Sequence, residues 1–443
     1  MQEQWQSKLG FILATIGAAV GLGSIWRFAY VAGENGGGAF LVVYTAMILI
    51  IGIPLVIAEL AIGRRGAADA VSAFEMATPS GSWRFVGGIG VIAAGAILTY
   101  YAVIAGWAAR YFFRSFGSAL WAVAPDGYGG YFDSFIADGA AVVFWQALML
   151  VLTAWVVGTG VNAGIERLNM WLMPLLGVIV VALAIYAMSL PGSEKGVAFL
   201  FAPDWSAFGQ PSLYLNALGQ AFFSIGIGMA VFVTYGSYLQ SSVRIPAAAA
   251  IIVVMDTLFS IAAGLAVFPA VFAFGGDPAS GPGLAFVAFP QILQKMPAGH
   301  IIGPTFFFLL SAAALSSMIS LLETCVAYGI RRRGATRVRA TALMTGLIFV
   351  LGLPSALGHG AVSWLTRAGT PVLDLIDQSV SNFVLPLSGL LIAVLVGWQM
   401  ERGRALADAD LARDATGWAW LWLMRVVVPA MIVVILARSL GLI

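Results

Sequence analysis

The sequence predicts an all-α integral membrane protein with about eleven transmembrane helices. Hydrophobic residues make up 61% of its 443 residues and charged residues only 9%, whereas soluble domains carry roughly 25% charged residues. A chain this apolar has too few polar groups to cover a water-facing surface. Repeated apolar segments of about 18 or more residues are typical of membrane-spanning helices. The predicted spans are 9–36, 39–63, 84–114, 140–159, 167–190, 213–239, 247–274, 301–330, 336–356, 371–399 and 418–440.

Basic residues indicate how these spans are oriented, because cytoplasmic loops carry an excess of Lys and Arg. With a cytoplasmic N-terminus, fifteen of the 22 basic residues lie at the inner face and six at the outer face, with Arg27 at mid-depth. We therefore predict a multi-pass protein of the cell inner (plasma) membrane. Its N-terminus is expected inside and, with an odd number of spans, its C-terminus outside. The apolar run from Leu9 to Tyr30 lacks a signal-peptide cleavage pattern, so the first span is expected to be retained.

Few residues are available for metal or redox chemistry. The single Cys325 excludes an internal disulfide framework. The two histidines, His300 and His359, are too few for a histidine metal cluster. We find no acid–base or metal constellation of the kind that a membrane enzyme needs, and we predict that the protein is not an enzyme.

The first and sixth spans contain glycines at close spacing. Gly17, Gly21 and Gly23 precede Arg27, and the sixth span contains a similar group beginning at Gly226. An interior glycine costs a helix about 1 kcal/mol relative to alanine, so these groups favour interrupted helices. The alternative is close helix packing through small residues. Arg27 favours the functional interpretation, because a charge at membrane depth is costly and usually serves a function.

The two interrupted spans lie five apart along the chain. Paired broken helices in corresponding halves indicate a transporter's binding site. We therefore predict a single transmembrane domain, 1–443, containing five-helix repeats at 9–190 and 213–399 and an additional helix at 418–440.

Five segments also carry a family resemblance. They are GAAVGLGSIWRFAYVAGENGGGAFLVVY (17–44), GIPLVIAELAIGRRG (52–66), YYAVIAGW (100–107), GQAFFSIGIGMAVFVTYGSY (219–238) and ALSSMISLLE (314–323). In this order they resemble the neurotransmitter:sodium symporter family, which includes bacterial leucine-transporter-like amino-acid symporters. The resemblance implies two inverted five-helix repeats, broken helices 1 and 6, and Na⁺ as the coupling ion, bound at two sites.

By this resemblance, one sodium site lies between the first and eighth spans. Carbonyl groups exposed by a broken helix are hard oxygen ligands of the kind that coordinate Na⁺. The implied ligands are the carbonyls of Gly17, Val20 and Ala313 and the hydroxyls of Ser316 and Ser317. The alternative for these adjacent serines is a hydrogen bond to the carbonyl four residues earlier.

The other implied sodium site would share a ligand with the substrate, namely the substrate's carboxylate. Its protein ligands would be the carbonyl of Ala19 and the side chains of Ser24, Ser224 and Asp256. The family usually has Asn where Ser24 and Asp256 stand. The alternative for Asp256 is a buried acid that is protonated or paired with an arginine.

Two signals conflict on chloride. The residues near which chloride-dependent members bind Cl⁻ match Tyr44, Gln220, Ser224 and Ser260. Chloride-independent members instead supply a carboxylate nearby, as Asp256 would. We give the carboxylate more weight, because it delivers the needed charge covalently, and predict chloride independence.

The resemblance also implies a substrate site. The Tyr101 hydroxyl and the Gly23 amide would bind the substrate carboxylate, and the carbonyls of Ala19, Phe223 and Ser224 would bind its ammonium group. An ordinary buried tyrosine is the alternative for Tyr101.

The implied site also includes Gly21, and its side-chain pocket would be lined by Ile97, Phe223, Gly226, Met229, Ser320 and Leu321. This lining holds no acid or base, and methionine is adaptable, which favours a neutral hydrophobic or aromatic amino acid.

Two gates are expected to enclose the site. Arg27 and Asp377 would form the outer ion pair, with Phe223 and Tyr101 as the lid, and Asp374 is a rival partner for Arg27.

The inner gate departs from the family pattern. Glu323 and Tyr238 are candidates for a rewired inner network, with Lys8 or Arg331 as the basic partner.

These observations predict a sodium-coupled importer of a neutral hydrophobic or aromatic L-amino acid that works by alternating access. A proton-coupled amino-acid carrier of the same fold, with Asp256 as the proton site, is the first alternative. A sodium-independent channel is another. The expected partners are the amino-acid substrate and the lipid bilayer, with no nucleic acid, and the protein is expected to be a monomer or weak homo-oligomer.

Overall fold

The computed structural model describes residues 3–66, 69–79, 81–124, 127–279, 281–360, 362, 365–367 and 370–442. Within these ranges, nine helical segments are long and apolar enough to cross a membrane. They are Gly38–Gly66, Arg84–Ser115, Gly139–Gly158, Val161–Met188, Ile245–Ala273, Gly299–Arg333, Arg337–Leu357, Val372–Gln399 and Ala415–Arg438. Several include a π-helical turn, as the second span does at Ile48–Gly52.

The first span is interrupted near its middle. The helix Lys8–Ala19 begins after Ser7, whose hydroxyl accepts a hydrogen bond from the Gly10 amide. It ends where Val20 takes an extended backbone, with φ −72° and ψ 101°. The chain resumes as the helical segment Gly23–Glu34, bent by 51° from the first half. The break removes backbone carbonyls near residue 20 from the helical hydrogen-bond pattern.

The sixth span is interrupted as well. Its halves, Pro211–Ile225 and Val231–Ser237, are separated by five residues. Gly226 and Gly228 have φ values of +92° and +82°, a left-handed region that glycine enters at little cost and most other residues avoid. Counting the two halves of the first span as one, the described residues contain up to ten helices that are long and apolar enough to cross a membrane. The predicted all-α membrane fold with broken helices 1 and 6 is confirmed.

Short elements connect the spans. The stretches 115–139, 190–213 and 275–299, expected to lie outside the membrane spans, contain short helices of four to ten residues. The short helices are Ala70–Ala77, Ser118–Trp121, Tyr128–Ala137, Glu194–Phe201, Trp205–Gly209, Gly281–Leu284, Ala288–Lys295 and Arg402–Asp408. The described strands, Thr366–Arg367 and Thr370–Pro371, form one small antiparallel hairpin.

The spans differ in how deeply they are buried. In the most apolar 18-residue segment of each span, 78% of residues are buried in the eighth span and 67% in the second and third, but only 28% in the eleventh. Peripheral helices present large apolar side chains outward, among them Trp155 (70% exposed) and Trp171 (79% exposed). Such a surface suits lipid contact. The repeat boundaries 9–190 and 213–399, the separate status of 418–440, and the orientation of the termini stay predictions.

Candidate functional site

A small cavity lies between the two helix breaks. Its lining is mostly apolar and includes nine of the eleven residues that the sequence predicted for substrate. The lining residues are Ala18, Ala19, Gly23, Ile97, Tyr101, Phe223, Gly226, Met229, Ser317, Ser320 and Leu321. Ala18 and Ser317 were not predicted for this role. Gly21 and Ser224 are outside the lining but beside it, as their contacts below show.

Tyr101 connects the cavity to the first break. Its hydroxyl accepts a 2.7 Å hydrogen bond from the Leu22 backbone amide. A methyl group placed on Gly21 would overlap both the Tyr101 hydroxyl and the Ser317 hydroxyl, so all three groups meet closely. Because the Tyr101 oxygen accepts this bond, its own O–H can be donated to a ligand.

Asp256 of the seventh span is wholly buried and bonded by two serines, one from each broken helix. Ser24 Oγ donates to Asp256 Oδ1 at 2.5 Å, and Ser224 Oγ donates to Oδ2 at 2.9 Å. The two serine oxygens are 3.0 Å apart, and Ser24 Oγ also lies 3.3 Å from the Ala19 carbonyl oxygen. The ion pairs recorded among the described residues do not include Asp256. The structure therefore brings Ala19, Ser24, Ser224 and Asp256 together. These ion pairs give Asp256 no arginine partner, which was one of the alternatives for this residue.

The residues considered for chloride divide into two groups. Tyr44 and Ser260 have hydroxyl oxygens 3.5 Å apart, and Ser260 lies about one turn after Asp256 on the helix Ile245–Ala273. Gln220 is engaged elsewhere, because its side-chain oxygen accepts from Arg27 Nη1 at 2.9 Å and its amide donates to the Gly23 carbonyl at 2.8 Å. Tyr44, Ser260 and Asp256 therefore form one cluster, and Gln220 supports the outer arginine.

The first and eighth spans meet at Gly17 and Ser316. A methyl group on Gly17 would overlap both Ser316 Oγ and the side-chain oxygen of Asn169. Ser316 Oγ donates to Asn169 Oδ1 at 2.6 Å and so does not make the local bond weighed as an alternative. Val20 follows the end of the first half-helix, and Ala313 lies one turn before Ser317. Sequence reasoning missed Asn169, although a polar amide within an apolar span was a usable signal.

The outer ion pair forms between the predicted residues. Arg27 Nε lies 3.8 Å from Asp377 Oδ2, and Tyr100 donates to Asp377 Oδ1 at 2.9 Å. The guanidinium lies over the Phe223 ring, 4.9 Å from its centre, and the Phe223 and Tyr101 rings are 6.3 Å apart. Asp374, the rival partner, lines the adjacent outer cavity.

The inner network uses an arginine that sequence reasoning did not choose. Glu323 is fully buried; its carboxylate accepts bonds from Arg337 at 2.7 and 3.0 Å and from the Tyr238 hydroxyl at 2.7 Å. Lys8 and Arg331 are exposed instead. The reason is geometric: the eighth span ends at Arg333, and the chain reverses so that Arg337, which begins the ninth span, lies alongside Glu323.

The N-terminal segment joins this network from the other side. Glu3 Oε1 lies 2.8 Å from Arg337 Nε, and the indole of Trp5, 1% exposed, donates to the Tyr235 carbonyl at 3.0 Å. The Trp5 backbone amide donates to the Tyr238 carbonyl at 3.2 Å. An ion pair beside packed aromatic rings is therefore present at both predicted gates.

Comparisons with known proteins agree with this architecture. The family model of the sodium:neurotransmitter symporter family matches residues 2–128 and 134–442. YhdH of Bacillus subtilis, an uncharacterised sodium-dependent transporter, is 36% identical, over 99% of this chain and 98% of its own length. The human sodium- and chloride-dependent creatine transporter 1 is 26% identical, over 95% of this chain and 74% of its own.

A solved structure of high similarity is that of MhsT in complex with L-phenylalanine. It matches with a TM-score of 0.94 and 47% sequence identity, covering 100% of both chains. Together with the family match over nearly the whole sequence, this similarity identifies the chain as a member of the sodium:neurotransmitter symporter family.

Proposed function

We propose that this chain imports neutral, hydrophobic L-amino acids together with two Na⁺ ions and independently of chloride. Membership in a family of sodium-dependent transporters supports sodium-coupled transport rather than an enzymatic activity. The finer proposal depends on one observation above all. A buried carboxylate, Asp256, is bonded to a serine from each broken helix at the edge of an apolar cavity.

The cavity lining supports the substrate class. Ile97, Met229 and Leu321 are apolar and almost fully buried, and the lining contains no ionisable group apart from the Tyr101 phenol. A charged substrate side chain would lose its hydration there without gaining a partner. MhsT, whose structure contains L-phenylalanine, is 47% identical to this chain, which supports a large hydrophobic or aromatic substrate.

The carboxylate cluster supports direct coupling between ion and substrate. A sodium ion bound by Ala19, Ser24, Ser224 and Asp256 would lie close enough to share the substrate's carboxylate as a ligand. Each would then bind better in the presence of the other, and the effect is reciprocal. Asp256 would also supply the negative charge that other members take from chloride.

Uptake by the purified, reconstituted protein tests the proposal. Proteoliposomes are screened with the standard amino acids under an inward Na⁺ gradient, with choline replacing Na⁺ and gluconate replacing Cl⁻ in parallel. We expect saturable, concentrative uptake of large neutral amino acids that needs Na⁺ and is indifferent to Cl⁻. Uptake driven by a proton gradient without Na⁺ would replace this proposal with the proton-coupled carrier, and uptake that never exceeds equilibrium would indicate a channel.

Tyr101→Phe should lower substrate affinity at least tenfold. The change keeps the ring and deletes one hydrogen bond to a charged carboxylate, which is worth about 1.5–3 kcal/mol. Equilibrium binding of labelled substrate at saturating Na⁺ measures the effect. Tyr214→Phe is the matched control, because that hydroxyl donates to the Phe208 carbonyl away from the cavity. Normal binding by Tyr101→Phe would mean that the carboxylate is held elsewhere.

Ser317→Ala should weaken Na⁺ binding, because it deletes a proposed hydroxyl ligand. The concentration of Na⁺ that half-activates uptake should rise by about three- to tenfold, the equivalent of one hydroxyl contact. Ser311→Ala on the same helix is the control, since its hydroxyl donates to the Phe307 carbonyl. An unchanged Na⁺ requirement would remove Ser317 from the proposed site.

A further inference from the structure

Asn169 is an amide buried where the first, fifth and eighth spans meet, with only 1% of its surface exposed. Its Nδ2 donates to the Ile165 carbonyl oxygen at 2.9 Å, and its Oδ1 accepts from Ser316 Oγ at 2.6 Å. Exchanging the amide's nitrogen and oxygen would place two acceptors, the Asn169 oxygen and the Ile165 carbonyl, against each other. The hydrogen-bond pattern therefore determines that Asn169 presents an oxygen to Ser316.

This pair lies directly against the first span. A methyl group on Gly17 would overlap both Asn169 Oδ1 and Ser316 Oγ, so the backbone of Gly17 can approach both oxygens only without a side chain. Three helices thus bring oxygen-bearing groups to one point: the first span its backbone, the eighth Ser316 and the fifth Asn169.

The hydroxyl of Ser316 bonds differently from others on its helix. Ser311 and Thr324 donate to the carbonyl oxygen four residues earlier, at 2.7 and 2.9 Å, the usual local bond of such residues. Ser316 donates to Asn169 instead. A hydroxyl has one proton and two lone pairs, and it can coordinate a cation only when its proton points away from that cation.

We infer that Asn169 is a positioning residue of the proposed second sodium site. It accepts the Ser316 proton and thereby leaves the lone pairs of Ser316 Oγ for Na⁺. The inference rests on the proposed function, in which Ser316 is one of the sodium ligands. Without Asn169, the Ser316 hydroxyl is free to rotate and to direct its proton toward the ion.

Asn169→Leu removes the acceptor while roughly keeping the size of the side chain. The Na⁺ concentration that half-activates L-phenylalanine uptake should rise by about three- to tenfold, as expected for the loss of one hydrogen bond. At saturating Na⁺, the half-saturating L-phenylalanine concentration should stay unchanged. Asn169→Asp keeps an acceptor oxygen, so its half-activating Na⁺ concentration should return to the wild-type value. Gln146→Leu is the control, because it removes a fully buried amide from the fourth span.

A double-mutant cycle separates positioning from a general structural role. In a Ser316→Ala background, Asn169→Leu should have no further effect on the Na⁺ requirement, because there is no hydroxyl left to orient. Independent, additive effects would overturn the inference. Stabilisation of the purified protein by Na⁺ against heat provides a second readout, and Asn169→Ala is measured in parallel so that the result does not depend on leucine fitting the site.

The controls also distinguish this inference from the proposed function. If wild-type uptake needs no Na⁺, the proposed function fails and the inference fails with it. If wild-type uptake needs Na⁺ and Ser317→Ala raises the Na⁺ concentration that half-activates it, but Asn169→Leu matches the wild type, the inference alone is wrong.

Discussion

Asp256→Asn should convert chloride-independent transport into chloride-dependent transport. The amide can still accept hydrogen bonds from Ser24 and Ser224, so the change removes mainly the charge. At an effective dielectric near 20, two unit charges about 4 Å apart interact by about 4 kcal/mol. The loss of that attraction should raise the Na⁺ concentration that half-activates uptake at least tenfold when gluconate is the anion. When chloride is the anion, this concentration should return part of the way to the wild-type value.

The expected recovery has a structural basis. Tyr44 and Ser260 lie beside Asp256 with hydroxyl oxygens 3.5 Å apart, and hydroxyls are suitable donors for an anion. Chloride bound there would replace the missing negative charge. Gln220 is not required for this, because its amide is already engaged with Gly23.

Uptake with chloride or gluconate, across a series of Na⁺ concentrations, measures this change. Asp374→Asn is the matched control, because it neutralises a carboxylate in the outer cavity and should create no chloride dependence. A wild type that already requires chloride would contradict the proposed role of Asp256. So would an Asp256→Asn variant with normal Na⁺ affinity and no response to chloride.

Arg337→Ala should weaken closure on the inner side. Arg337 is the basic group bonded to the fully buried Glu323 and to Glu3. Removing one partner of a buried ion pair typically costs about 3–5 kcal/mol, because the other charge is left uncompensated. Water reaching Glu323 would relieve that cost, so the variant should favour an inward-open state.

Position 235 offers a reporter for that opening. Tyr235 is fully buried, with its ring against Trp5, 5.1 Å between the ring centres. In a Cys325→Ala background, Tyr235→Cys should react with a thiol reagent at least tenfold faster when Arg337→Ala is added. Substrate transport should fall by at least as much, because the outward-facing state is depopulated.

Two further variants sharpen this test. Arg331→Ala is the control, because Arg331 is exposed at the end of the eighth span and should change neither the labelling nor transport. Arg337→Lys keeps the charge but not the forked geometry, and it should give intermediate labelling. Equal labelling rates with and without Arg337→Ala would exclude Arg337 from inner closure.

Composition and local pattern determined the fold class. The scarcity of charged residues and the long apolar segments required a membrane protein, and the glycine groups around Gly21 and Gly226 predicted both helix breaks. These properties are local, since a break depends on the conformational preferences of the residues at that point. The family resemblance of short motifs predicted the outer ion pair of Arg27 and Asp377 and most of the cavity lining.

The tertiary structure decided which distant side chains meet. Arg337, rather than Lys8 or Arg331, bonds Glu323, because the turn after Arg333 returns the chain alongside the eighth span. Asn169 reaches Ser316 across 147 positions in sequence. Several basic or polar residues lie close enough along the chain to be candidates for each contact. The angles at which the helices pack decide between them, and those angles are set by the whole core rather than by any single motif.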